Sequence, residues 1–131
     1  MIAPCRFFSQ IAAFSGYQPV YRYRANLTYP GVPTMLGSTH AIDVPYVWND
    51  PILQGDPRTS KTVEFVSRAW ASFISDLNPN NHGVEGIPQW NVYSSQPTGE
   101  NFVIAVNNFT TESDTYRSDG IGFINSALLQ L

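Results

Sequence analysis

The sequence predicts an α/β domain, and three stretches carry that prediction. Residues 60–77, SKTVEFVSRAWASFISDL, place Val63, Val66, Trp70, Phe73, Ile74 and Leu77 at steps of three and four, the spacing of one helix face. Residues 19–25, PVYRYRA, alternate tyrosine and arginine with the period of two that a strand requires. Residues 101–106, NFVIAV, form a second short apolar run with β-branched residues. A chain of 131 residues predicts one domain with a real core, and 43% hydrophobic with only 13% charged residues argues against disorder.

The remaining elements follow in order. Residues 5–15 form a helix with a broad apolar face of Phe7, Phe8, Ile11, Ala12 and Phe14, and Gly16 stands where a C-cap ends it. In the 19–25 strand, Tyr21 and Tyr23 share one face while Arg22 and Arg24 share the other. That arginine pair could hold an anion, although burial statistics favour buried tyrosines and solvated edge charges. Residues 26–39 show no periodicity, and a structureless connection of that length is often functional. Asp43 can cap a short helix with Pro45 in its first turn. Thr59 or Ser60 caps the long helix, and Asn78-Pro79 ends it. Residues 78–100, rich in Asn, Pro, Gly and Ser, read as an irregular surface segment. The tail from about Thr115 to Leu131 can form a terminal helix carrying Ile121, Ile124, Leu128 and Leu129, weakened at its start by Gly120 and Gly122.

Composition excludes several classes of function. The net charge is −3 and no lysine or arginine cluster is present, so no nucleic-acid partner is expected. No apolar run reaches the roughly 18–20 residues of a membrane span, and the start does not read as a signal peptide. Cys5 is the one cysteine, so no disulfide can form within the chain and a cysteine-rich metal site is ruled out. With no cationic neighbour beyond Arg6, it reads as a buried or externally paired thiol, not as a nucleophile. No G-x-S-x-G, phosphate loop or dinucleotide fingerprint is present, and no cofactor is expected.

His40 is the residue with chemistry to weigh. Small neighbours, Gly37, Ser38, Thr39 and Ala41, leave room for other groups to approach it. An imidazole can take a proton from a hydroxyl nucleophile and return it to a leaving group. Against that stands the ordinary fate of a lone loop histidine, which is structural or incidental. Asp43, three residues on, could fix the imidazole tautomer as a triad acid does, or simply cap a helix. His82 lies in NPNNHG, a turn signal, and is expected to be exposed and inert. Asn26-Leu27-Thr28 and Asn108-Phe109-Thr110 match the N-glycosylation sequon.

Taken together, PVYRYRA, GSTHAIDVPYVW, a helix ending in LNPN, QWNVY and YRSDGIGF resemble the C-terminal part of type B carboxylesterases. These are the cholinesterase-like and fungal lipase-like branch of the α/β-hydrolases, and the likeness runs from about Ala3 to Phe123. It implies a partial α/β-hydrolase fold, with residues 1–131 an incomplete C-terminal segment of the domain. It carries the role of triad general base onto His40, and makes Gly37 and Asp43 structural support for the His40 loop. The triad acid of the family comes from an earlier strand end. Asn78-Pro79-Asn80 stands where relatives often have Asp-Pro-Asn, and Trp90-Asn91-Val92-Tyr93 where they have Trp-Pro-x-Tyr.

Intact relatives run several times longer, in the order serine, acid, histidine, so the nucleophile, triad acid and oxyanion loop are expected outside this chain. The implied substrate is a carboxylic ester or acylglycerol, acted on once the missing part completes the domain, and the implied location is extracellular. The alternative is a non-catalytic cholinesterase-like interaction module. Either way, the 20–25 strand should keep an unpaired edge and the 63–77 helix part of an uncovered face.

Overall fold

The computed structural model describes residues 2–16, 19–94 and 99–128. The element order is α1 (Ile2–Ser15), β1 (Tyr23–Asn26), α2 (Val44–Val47), α3 (Pro51–Gln54), α4 (Ser60–Asp76), β2 (Glu100–Ala105), β3 (Asn108–Ser113) and α5 (Ser118–Leu128), with 3₁₀ turns at Thr34–Leu36 and Pro79–His82. The chain forms two compact units. One comprises Met1–Arg22, Val92–Asn101 and Glu112–Leu131, the other Tyr23–Asn91 and Phe102–Thr111.

The second unit is built on a three-stranded sheet in the order β1-β2-β3. β1 and β2 run parallel, with Tyr23 opposite Phe102 and Asn26 opposite Ala105. β2 and β3 are joined by only Val106 and Asn107, a connection that only an antiparallel pair allows, so the sheet is mixed. Asn107 turns the corner at φ 51°, a left-handed conformation asparagine tolerates. β1 is shorter than residues 19–25 predict and begins later, and β3 carried no clear signal in the sequence.

α4 closes the crossover between the parallel strands and covers the sheet. It ends at Asp76, one residue before the expected 77, and Leu77 caps it at φ 54°, a left-handed conformation normally filled by glycine. Its buried residues are Thr62, Val63, Phe65, Val66, Ala69 and Ser72. Phe73, Ile74 and Leu77 of the predicted stripe are exposed. The buried face is rotated because Thr62 and Ser72 serve it as small polar contacts. Thr62 Oγ1 accepts the Asn107 N–H at 2.7 Å, tying the helix to the β2–β3 turn, and Ser72 Oγ donates to the Asn78 carbonyl.

Aromatic rings fill the space between. Trp90 stacks on Phe102 at 4.9 Å, and Tyr23 meets Trp70 edge-on at 5.0 Å and Trp90 at 5.9 Å. Phe65 meets Phe109 edge-on at 4.9 Å. Pairs of this kind add about 0.5–1.5 kcal/mol each beyond the area they bury. Residues 78–94 are therefore not a surface segment throughout, since Pro79, Trp90 and Tyr93 are buried. Asn80 holds Trp90 with two hydrogen bonds, donating to its carbonyl at 2.9 Å and accepting its N–H at 2.8 Å.

The first unit is organised by charge. Asp114 is buried and accepts from Arg22, from the Tyr93 hydroxyl at 2.9 Å and from Asn101 Nδ2 at 3.1 Å. Arg6 Nε lies 3.0 Å from the same carboxylate, a charge pairing off the line of a hydrogen bond, while its Nη2 donates to the Tyr116 carbonyl at 2.7 Å. Burial, and then the bond to Asp114, push the Tyr93 hydroxyl above its ordinary pKa, so it remains a donor. Gly99 is fixed by close approach, because a Cβ there would lie 2.1 Å from the Tyr93 ring.

This network overturns the picture of a solvated arginine at position 22, and it inverts α1. Arg6 is buried, while Phe7, Phe8, Ile11 and Phe14 face outward, Phe14 at 88% exposure. In the tail, α5 begins at Ser118, later than the expected Thr115, Ile124 is exposed, and residues 129–131, including Leu129, lie outside the described residues.

Removing Asp114 strands two buried guanidinium groups, which typically costs about 3–5 kcal/mol. Asp114→Ala is expected to lower the unfolding free energy by about that amount, read from urea denaturation followed by circular dichroism. A loss under about 1 kcal/mol would show that solvent already screens the cluster.

Candidate functional site

The candidate site lies in the second unit, on the chain that leaves the carboxyl end of β1. In sheets with parallel strands, that end is where ligands and reactive groups collect. Two hydrogen bonds fasten the loop 37–43 there. Ser38 Oγ accepts the Leu27 N–H at 2.7 Å and donates to the Leu27 carbonyl at 2.9 Å, immediately after β1 ends. At the other end of the loop, the Tyr23 hydroxyl, from the first residue of β1, donates to Asp43 Oδ2 at 2.6 Å.

α2 follows the loop, and Tyr46 anchors it. Its ring is fully buried and its hydroxyl donates to the Thr28 carbonyl at 2.7 Å. Burial foremost, then the charge of Asp56, pushes the Tyr46 hydroxyl up to about 12, so it stays a donor throughout the neutral range. The Tyr29 hydroxyl bonds Asp50 at 3.1 Å, and Asp50 in turn caps α3 by accepting the Ile52 N–H at 2.8 Å. Residues 26–39 are thus an ordered strap, with a 3₁₀ turn at Thr34–Leu36, and not a structureless connection.

The backbone around His40 sits in conformations that side chains resist. Gly37 has φ 60° and ψ −150°, a combination essentially reserved for glycine. Ala41, directly after His40, has φ 59°, an uncommon left-handed alanine. Strain of this kind persists where surrounding bonds over-determine the chain.

His40 itself is exposed, and among the described residues no hydrogen bond reaches its ring. Asp43 is brought to the base of the loop, but its carboxylate is spent on Tyr23. It occupies the N-cap position of α2 without making a side-chain cap bond. The expected capping bond is absent, and the Tyr23 hydroxyl takes the carboxylate in its place. Thr59 behaves likewise at α4, giving its hydroxyl to the Leu53 carbonyl at 2.6 Å instead of capping.

Asn26 and Asn108, the sequon asparagines, are both exposed, at the end of β1 and the start of β3. Cys5 is an exposed free thiol on α1, so the buried alternative does not hold. A cleft of about 360 Å³ opens between residues 28–34 and 56–59, with the Asp56–Arg58 ion pair on its wall. A second, of about 330 Å³, lies beside α4 next to Glu64 and Arg68. His40 lines neither. Among the described residues no cluster of His, Cys, Asp and Glu could hold a metal ion, and no helix is long and apolar enough to cross a membrane.

His82 departs most from expectation. It is half-buried, with its ring edge-on to Phe65 at 4.9 Å and Nδ1 accepting the Val84 N–H at 2.9 Å. Nothing in NPNNHG announced that aromatic neighbour, which comes from α4.

Comparison with known proteins gives the class first and then the family. The fold is that of an α/β-hydrolase segment. It superimposes on EstA of Aspergillus niger with a TM-score of 0.73 and 18% identity, covering 91% of this chain and 25% of that one. Residues 2–120 match the carboxylesterase family, and the chain belongs to it. Mouse (Mus musculus) carboxylesterase 1C is 29% identical over 87 residues, 65% of this chain but 15% of that protein. The chain therefore spans a quarter or less of the length of the relatives it matches.

The His82 environment sets a pH dependence. Desolvation first, and the charge of Arg68 second, lower its pKa below 6.5. The folded state then favours the neutral ring. Its contribution to stability is fully present above the unfolded value near 6.5 and is lost as pH falls through the folded value. In an NMR titration, His82 is expected to show a midpoint below 6.5, and the urea midpoint of the chain to fall between pH 7 and 5. The fall should be shallower in His82→Asn. A His82 midpoint at or above 6.5 would remove the basis for this dependence.

Proposed function

We propose that the chain is the histidine-bearing C-terminal segment of a serine carboxylic-ester hydrolase domain. His40 is its general base, and the serine nucleophile and triad acid come from sequence outside residues 1–131. One observation supports this above the others. In a chain belonging to the carboxylesterase family, His40, on the 37–43 loop beyond the carboxyl end of β1, is displayed on a loop pinned at both ends.

In this reading His40 accepts the proton of the serine hydroxyl as its oxygen bonds to the ester carbonyl carbon. The tetrahedral adduct collapses, the bond to the alcohol oxygen breaks, and His40 returns the proton to that oxygen. Water then attacks the acyl-enzyme, its proton passing through His40 to the serine as the acid departs. Gly37 and Asp43 support the loop and do not enter the proton path. The substrate is a carboxylic ester, an acylglycerol being one form of it, and the reaction calls on no cofactor.

The exposed apolar side chains fit the same reading. Phe7, Phe8, Ile11 and Phe14 on α1 and Phe73 and Ile74 on α4 are surfaces that the rest of a family domain would cover. The exposed sequons at Asn26 and Asn108 fit a secreted glycoprotein.

Immunoblotting of the native product with an antibody to residues 60–77 is expected to show a band several times heavier than 14.6 kDa that shifts on deglycosylation. In that product, His40→Ala is expected to lower the hydrolysis of a short chromogenic ester by about 10²–10⁴-fold. Unchanged turnover in the variant would refute the base assignment.

A further inference from the structure

Asp43 poses a question that helix capping does not answer. It stands at the N-cap of α2, yet its carboxylate turns away from the helix to the Tyr23 hydroxyl, 2.6 Å away and 20 residues earlier in the chain. Tyr23 is in turn held on two sides, edge-on to Trp70 at 5.0 Å and to Trp90 at 5.9 Å. Trp90 is stacked on Phe102, and its backbone is gripped at both N–H and C=O by Asn80.

We propose that Tyr23, acting through Asp43, is the positioning residue for His40, and that Asn80 and Trp90 form its buttress. The inference rests on the reading of His40 as a general base. A base must be held within a fraction of an ångström of its proton donor, and a small displacement lowers kcat without altering substrate affinity. Ser38 ties only the entry of the loop, at Leu27. The exit, past the left-handed Ala41, has the phenol–carboxylate bond as its anchor. A hydrogen bond to a charged carboxylate is shorter and stronger than a neutral one, and just beyond it the Tyr46 hydroxyl holds α2 to the Thr28 carbonyl. Seating that anchor on the first residue of β1 transmits the rigidity of the sheet to the loop. Asn80 contributes because it replaces a neighbouring strand for Trp90, whose ring would otherwise be free to shift beneath Tyr23.

The test is amide hydrogen exchange in the isotopically labelled chain. Ile42 N–H and Val44 N–H donate to the carbonyls of Thr39 and Ala41 and report on the loop exit, while Thr59 N–H, bonded to Asp56, serves as a control. Tyr23→Phe keeps the ring and removes only the hydroxyl. It is expected to speed exchange at Ile42 and Val44 about tenfold and leave Thr59 unchanged. Asp43→Ala should do the same, the double variant no more than the worse single one, and Asp43→Asn, which keeps an acceptor, should stay close to the parent chain. Exchange within about twofold of the parent in Tyr23→Phe, or additive effects in the double variant, would overturn the proposal. Should Asp43→Ala fail to fold, Tyr23→Phe decides alone.

In the native product, Tyr23→Phe is expected to lower kcat about tenfold with KM unchanged. If His40→Ala abolishes turnover while Tyr23→Phe alters neither exchange nor kcat, the positioning role fails and the base assignment survives. If Tyr23→Phe loosens the loop while His40→Ala leaves turnover intact, the base assignment fails and the anchoring of the loop by Tyr23 stands.

Discussion

Parallel strands cannot be joined by a tight turn, and that constraint governs the second unit. Pairing Tyr23–Asn26 with Phe102–Ala105 obliges the chain between them to travel over the sheet and back. α4 makes that journey, and the strap and short helices before it occupy the space beyond the carboxyl end of β1. Four residues of β1 thus decide where His40 can be. The strand is short because the residues before it serve another purpose, Arg22 being turned to Asp114 within the first unit.

The two units solve their packing by different means. The second relies on aromatic edges and a stacked indole, contacts that tolerate small shifts and gain mainly from area removed from water. The first relies on Asp114 with Arg6, Arg22, Tyr93 and Asn101, where each partner must be in place because an unpaired buried charge is so unfavourable. The orphaned Oδ1 of Asn101 fits that account. Its amide is committed to Asp114 through Nδ2, which fixes the orientation of the other end. The Asp56–Arg58 pair, with its arginine largely exposed, carries little energetic weight, since water screens it.

Periodicity made α1 and α4 legible in the sequence, a short β-branched apolar run made β2 legible, and the motif around His40 made the family legible. Faces and partners were harder to read. Hydrophobicity pointed α1 through its phenylalanines and α4 through Ile74 and Leu77, while the structure buries Arg6, Thr62 and Ser72. Those burials depend on Asp114, Asn107 and Asn78, which lie far along the chain or outside the helix, and no local pattern encodes them. β3 escaped notice because its side chains, Asn108-Phe109-Thr110-Thr111-Glu112-Ser113, are mostly exposed and lack an apolar alternation. For the site, the sequence named His40, Gly37 and Asp43 and could not show that Asp43 answers to Tyr23, because that contact exists only once β1 is paired.

A histidine on a loop is usually a weak indication of chemistry, since loops are mobile and an exposed imidazole has little to orient it. Here the loop is specified at the level of the backbone. Gly37 accepts a conformation other residues refuse, and Ala41 accepts one that alanine disfavours. Such a geometry costs free energy locally and holds only because Ser38, Asp43 and Tyr46 each bond to residues in or just after β1. In the proposed reading, a base that meets a serine from elsewhere in a domain needs a backbone that does not yield and a ring that remains accessible. The loop supplies the first through bonds to Tyr23, Leu27 and Thr28, in and just after β1, and the exposure of His40 supplies the second.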